Sequence, residues 1–232
     1  VVSDGTASHA DTVTINVGAV SNAPTISNLS GDSLSYTEGA GAVVIDQDAN
    51  TLVVDADSAN FDTGALTVSI PVGAEPAEDV LSIRNQGAGA GQIGISGSNI
   101  SYGGLTIGTF TGGSGGNNLV ITFNSNATPT TVTALIKNIT FEDINTDSPA
   151  EGALTIRFVL TDGDGGISTN YDVSAWVTGV SDAPVNSIPG AQSTNEDTNL
   201  IFSSGNSNQI SITDTDANSN SIEVTVSVTN GK

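Results

Sequence analysis

The sequence predicts an all-β protein that consists of tandem β-sandwich domains with one short helix. Apolar residues recur at every second position in many short runs, and clusters of Gly, Asn, Asp and Ser separate these runs. Val, Ile and Thr are frequent within them, and such β-branched residues fit the pleated surface of a sheet. Many short strands with turn residues between them are typical of a β-sandwich.

The alternating runs are spread along nearly the whole chain. A period of two places successive side chains on opposite faces of a strand, so each run predicts one strand with an apolar face. The residues that alternate are Val13, Ile15 and Val17; Leu66, Val68 and Ile70; Ile100 and Tyr102; Leu105 and Ile107, which Phe110 follows three positions later; Leu119, Ile121 and Phe123; Leu154, Ile156, Phe158 and Leu160; and Ile222, Val224, Val226 and Val228.

One segment, TPTTVTALIKNI, departs from this pattern and predicts a helix. Thr128 can cap its start, and Pro129 would occupy the first helical position, where a missing N–H has no cost. The apolar residues then follow helical spacing and form one face, which comprises Val132, Leu135, Ile136 and Ile139.

An internal repeat divides the chain. The motif SNAP at 21–24 recurs as SDAP at 181–184, and the same shift along the sequence aligns Asp4 with Asp164. We therefore expect the last strands of one domain at 1–21, a complete enlarged domain at 22–181, and the first part of the next domain at 182–232. Val1 in place of Met suggests an internal stretch of a longer protein.

The charge balance restricts the partners. Asp and Glu number 25 against 4 Lys and Arg, which gives a formal net charge of −21. Nucleic acids and anionic membranes require cationic patches, and no apolar run is long enough to span a bilayer, so we expect neither nucleic-acid binding nor membrane insertion. The absence of Cys excludes disulfide bonds.

We interpret the SNAP and SDAP motifs as the first and second linkers between domains. Acidic residues gather near both linkers and indicate cation binding. Two carboxylates in a D-x-D strand sequence point to the same side, and Ca²⁺ accepts six to eight oxygen ligands in flexible geometry. At the first junction the candidate ligands are Asp4, Asn22, Glu38, Asp55 and Asp57. At the second junction they are Asp162, Asp164, Asp182, Glu196, Asp197, Asp214 and Asp216. The alternative is that these residues serve only as turn formers.

These motifs resemble the calcium pattern of cadherins, and most of all the cadherin-like tandem repeats of giant bacterial surface adhesins exported by type I secretion. The resemblance rests on the SDAP linker, the acidic residue after it, the following D-x-D, and DGDG before the last strand of the domain. It implies cadherin/Ig-like sandwiches, an extracellular location on a bacterial surface, and Ca²⁺ between consecutive domains. Asn22 departs from the pattern because it replaces an acid in the first linker.

The resulting functional expectation is a non-enzymatic spacer, stiffened by Ca²⁺, whose partners are the adjacent repeats of the same chain. Two alternatives stay open. The enlarged middle, about 71–125, could bind host or substratum glycans or proteins. The chain could also self-associate into a filament if 182–232 pairs with segment 1–20 of another copy by strand addition.

Overall fold

The computed structural model describes residues 2–15, 20–217 and 220–227. These residues form seventeen strands, one α-helix (α1, Pro129–Ile136) and a 3₁₀ turn at Ser204–Asn206. The first strands are β1 (Val2–Ser3), β2 (Ser8–His9), β3 (Thr25–Ser27), β4 (Ser33–Thr37), β5 (Val43–Val44), β6 (Leu52–Val54), β7 (Ala65–Val72) and β8 (Asp79–Ile83). The remaining strands are β9 (Ile93–Ser96), β10 (Asn99–Tyr102), β11 (Leu105–Thr111), β12 (Leu119–Phe123), β13 (Ile139–Asp143), β14 (Gly152–Thr161), β15 (Tyr171–Thr178), β16 (Val185–Ser187) and β17 (Ser211–Thr213). The all-β prediction is confirmed.

Two sheets share one apolar core. The larger sheet has eight strands in the order β4-β15-β14-β7-β12-β11-β10-β9, and the smaller has the order β5-β13-β8. Tyr36 of β4 meets Phe141 of β13 edge to face, with ring centroids 5.3 Å apart, and the Tyr36 hydroxyl donates to the carbonyl of Asp143 at 3.0 Å. This contact joins the two sheets through both apolar area and a buried hydrogen bond.

The enlarged middle of the chain is part of the larger sheet. Strands β9 to β12 continue that sheet beyond β7, and each of them pairs with its neighbour in an antiparallel register. Ile93, Ile100 and Ile107 from these strands are fully buried in the common core. The additional residues therefore widen the sheet and extend the core.

Helix α1 begins as the sequence predicts. Thr128 forms a capping box with Thr131, and Pro129 occupies the first turn. The helix packs beside β6, where the backbone N–H of Val53 donates to the Thr133 hydroxyl at 2.9 Å. The prediction was wrong at the far end, because Ile139 belongs to β13 and continues the sheet after the helix has ended.

The repeat detected in the sequence is also present in the strand pairing. Near the first linker, β3 pairs with β6 so that Thr25 faces Val54. Near the second linker, β16 pairs with β17 so that Val185 faces Thr213. Thr25 and Val185 each directly follow the proline of their linker, so the two strand pairs begin at equivalent positions of the repeat.

The alternating runs near the two ends are not in strands where they are described. Within the described residues, 11–15 and 221–227 form no strand, so the strand predictions on Val13, Ile15, Ile222, Val224 and Val226 are wrong. Val17 and Val228, which complete those two runs, lie outside the described residues. Alternation specifies the two faces of a strand but supplies no hydrogen-bonding partner.

Two buried carboxylates lie opposite each other on adjacent strands of the smaller sheet. Asp79 on β8 faces Asp143 on β13, and both residues are buried. Burial raises the pKa of Asp79 to about 6, although a hydrogen bond from the N–H of Glu75 partly opposes this effect. Burial also raises the pKa of Asp143, whose Oδ2 has no partner among the described residues.

Asp79 therefore makes stability depend on pH. Its carboxyl binds a proton more tightly in the folded chain than in the unfolded chain, so the free energy of unfolding should fall as pH rises from about 4 to about 6. Asp79→Asn should remove up to about 3 kcal/mol of this fall and raise stability at neutral pH. Urea unfolding between pH 4 and 8 in chelator measures it, with exposed Asp62→Asn as the control. Equal pH dependence in both variants would contradict the assignment.

Candidate functional site

The first of two acidic clusters forms around a tight loop after β14. The Asp162 side chain is fully buried, and its Oδ1 accepts hydrogen bonds from the backbone N–H groups of Asp164, Gly165 and Gly166 at 2.8–3.0 Å. Its Oδ2 accepts from the hydroxyl of Ser21 at 2.9 Å. Asp162 therefore ties the loop to the first linker.

The D-x-D sequence after β6 joins the same cluster. The backbone N–H of Asn22 donates to both carboxylate oxygens of Asp57, at 3.2 and 3.0 Å. Asp55 accepts from the N–H groups of Asp57 and Ser58 through Oδ1, whereas its Oδ2 is buried and has no partner among the described residues. The hydroxyl of Ser58 reaches Asp164 Oδ2 at 3.3 Å. The linker, the D-x-D and the post-β14 loop therefore meet at one place.

The second cluster surrounds the linker that follows β15. The backbone N–H groups of Gly179 and Val180 in this linker donate to Glu151 Oε1 at 2.8 Å and to Glu38 Oε2 at 2.7 Å, respectively. Further along the linker, the N–H of Asp182 donates to Asp216 Oδ2 at 2.7 Å. Three carboxylates from three separate segments thus bind one linker.

Two carboxylates of this cluster also interact with each other. The hydrogen bond between Asp214 and Asp216 raises the pKa of Asp214 and lowers that of Asp216. An open cleft beside the linker has a volume of about 510 Å³ and is lined by Glu38, Glu151, Ser181 and Asp216 among others. Glu38 Oε1, which belongs to this cluster, is buried and has no hydrogen-bond partner among the described residues.

The two linkers use the same contact. The N–H of Asn22 donates to the second acid of the first D-x-D, and the N–H of Asp182 donates to the second acid of the other D-x-D. In each D-x-D the first acid also accepts a backbone N–H from the residue that follows the second acid, Ser58 in one case and Ala217 in the other. The repeated sequence therefore produces a repeated linker geometry.

The predicted grouping of the acids needs correction. Glu38, expected at the first junction, lies with the second linker, because β4 runs parallel to β15 and ends beside Thr178. Asp162 and Asp164, expected at the second junction, lie with the first linker. Glu151 was not predicted. It stands immediately before β14 with no D-x-D around it, so only the tertiary contact reveals it.

In the described part of the chain, three other predicted ligands have no hydrogen bond to either cluster. Asp4 Oδ1 accepts from the N–H groups of Thr6 and Ala7, and these bonds lower its pKa to about 2. This turn matches that of Asp162, so Asp4 is the counterpart of Asp162 and not of Asp164. Glu196 and Asp197 lie in an exposed turn, and within the described residues no hydrogen bond joins either side chain to the clusters.

No helix in the described part of the chain is both long and apolar enough to cross a membrane. The chain matches no protein-family model, and no curated protein matches it. Function must therefore be inferred from the two clusters.

Close packing at Gly166 holds the first linker against the loop. A Cβ at this position would lie 2.2 Å from Asp162 Oδ2 and 2.6 Å from the carbonyl oxygen of Asn22. Gly166→Ala should therefore displace the linker and lower the free energy of unfolding by about 1–3 kcal/mol. Chemical denaturation measures this loss. Gly190→Ala is the control, since a Cβ there meets nothing within 4 Å. Equal stability of the two variants would show that the linker does not depend on this contact.

Proposed function

We propose that this chain is a non-enzymatic, extracellular spacer of cadherin-like β-sandwich repeats whose linkers are stiffened by Ca²⁺. The observation that carries the proposal is the repeated contact between a linker N–H and the second acid of a D-x-D, at Asn22–Asp57 and again at Asp182–Asp216. Acids that are distant in sequence converge on both linkers. Such a convergence costs electrostatic energy unless something neutralises it.

The donor set fits a hard divalent cation. The side chains of both clusters offer carboxylate and hydroxyl oxygens, and the chain has no Cys. In each cluster one buried carboxylate oxygen, Asp55 Oδ2 or Glu38 Oε1, has no hydrogen-bond partner in the described part of the chain. A bound Ca²⁺ would supply the missing positive charge. The residues that would hold it are Asp55, Asp57 and Asp164 at the first linker and Glu38, Glu151, Asp182, Asp214 and Asp216 at the second.

The mechanical consequence follows from where the carboxylates come from. Two of the acids on the second linker, Glu38 and Glu151, belong to the segment before it, whereas Asp214 and Asp216 belong to the segment after it. A cation shared by both sides would fix the linker relative to both. Interfaces between domains are usually mobile without such an added tie.

The two D-x-D motifs provide matched variants. In wild-type protein, Ca²⁺ should slow amide hydrogen exchange at both linkers, 20–23 and 179–182. The double variant Asp214→Asn with Asp216→Asn should lose this slowing at 179–182 and keep it at 20–23. The double variant Asp55→Asn with Asp57→Asn should lose it at 20–23 and keep it at 179–182. Each site should contribute about 2 kcal/mol in roughly 10 mM Ca²⁺, given the affinities of extracellular calcium modules of about 10⁻⁴–10⁻³ M.

Small-angle scattering in EGTA and in calcium supplies an independent readout. The wild-type chain should become more extended when calcium is added, and the Asp214/Asp216 double variant should respond less. Exchange rates and scattering that do not change with calcium would refute the proposal, and the acids would then be ordinary turn residues.

A further inference from the structure

We infer that the domain also holds a divalent cation, Ca²⁺, at a site away from both linkers, formed by Asp32, Asp46 and Asp48. One carboxylate oxygen of each residue lies within 4.8 Å of the other two. None of the three was among the sequence candidates, and no contact described above joins them to either linker. The inference does not depend on the proposed function.

Asp46 is the observation that distinguishes this group from a cluster of surface acids. The residue is only 2% exposed, and its Oδ1 has no hydrogen-bond partner among the described residues. Its Oδ2 has only a long contact, 3.4 Å, with the N–H of Thr51. Burying an ionised carboxylate with an unpaired oxygen is costly, and proteins normally compensate with a donor, a positive charge or a metal.

Other buried polar atoms nearby also have no hydrogen-bond partner in the described chain. Asp32 Oδ2 is buried without a partner in the described chain, and so is the hydroxyl oxygen of Thr51. Burial, together with the charges of Asp48 and Asp46, raises the pKa of Asp32. No described basic side chain forms an ion pair with the three acids, and the nearby Asp172 is engaged by Arg157 in two hydrogen bonds of 2.8 Å.

The position of the group in the fold gives a bound cation a structural role. Asp32 directly precedes β4, the edge strand of the eight-stranded sheet, and its carbonyl accepts from the N–H of Ser174 on β15. Asp46 and Asp48 lie in the loop after β5, the edge strand of the three-stranded sheet. A cation bound by all three would link the exposed edges of the two sheets.

Calcium is the cation that this geometry favours. Three carboxylates on two separate segments, one of them with an exposed side chain at Asp48, leave room for water in an irregular ligand shell. Ca²⁺ accepts six to eight oxygens in such geometry, whereas Mg²⁺ requires a near-ideal octahedron and releases water reluctantly.

The test uses the full chain with CaCl₂ as the probe and MgCl₂ as the comparison. Equilibrium dialysis should show that Asp48→Asn binds one Ca²⁺ fewer than wild type, or binds it about tenfold or more weakly. Asp46→Asn should weaken Ca²⁺ binding in the same way, but a substitution at the exposed Asp48 should disturb folding less than one at the buried Asp46. Exposed Asp147→Asn, which removes the same charge elsewhere, should leave the stoichiometry unchanged.

Two further readouts separate a cation site from a purely structural cluster. In EGTA, Asp48→Asn should melt higher than wild type because it relieves repulsion, while its gain in melting temperature on adding calcium should be smaller. Calcium should slow hydrogen exchange at 45–52 in wild type but not in Asp48→Asn, and the linkers 20–23 and 179–182 should respond equally in both. Wild-type stoichiometry, affinity and exchange at 45–52 in Asp48→Asn would overturn the inference, whatever the linkers do.

Discussion

An excess of negative charge is the constraint on which the arrangement of this molecule depends. With 25 acids and 4 basic residues, carboxylates cannot all be paired with cationic side chains, and the described residues contain one Arg–Asp ion pair, between Arg157 and Asp172. The chain meets this constraint in three ways. Backbone N–H groups surround Asp162, the pKa values of Asp79 and Asp214 are raised, and some buried carboxylate oxygens have no hydrogen-bond partner among the described residues. Three of these oxygens, on Asp55, Glu38 and Asp46, lie where we propose bound cations, because a buried carboxylate oxygen without a donor is costly.

Much of the fold was predictable because local rules determine it. Thr128 and Pro129 determine the start of α1 through capping and a fixed backbone angle, and period-two runs such as Leu154 to Leu160 mark strands that are long and half buried. The same rules failed at residues 11–15, since alternation describes the faces of a strand and cannot supply its neighbour. The strand order and the packing of the sheets could not be predicted from the pattern, because they depend on which distant strands pair.

The sites were predictable in residue type but not in grouping. The D-x-D motifs and linkers could be read directly, since a repeat marks them twice. The position of Glu38 depends on the parallel pairing of β4 with β15, which brings together segments that are far apart in the sequence. Asp32 and Asp46 were missed for a similar reason: the sequence between them contains two strands and a turn that only the folded chain brings together.

The parallel pair of β4 and β15 has a kinetic consequence. Ser33 pairs with Ser174, and β15 is the single neighbour of β4 among the described strands of that sheet. A strand from early in the chain therefore pairs with one from late in the chain. Closing a loop of this length costs conformational entropy before any contact compensates for it, and such non-local pairing slows folding. The inner strands β7, β12 and β11 can assemble from closer segments. We therefore expect β4 to join the sheet late, and an incompletely synthesised chain to carry it as an unpaired strand.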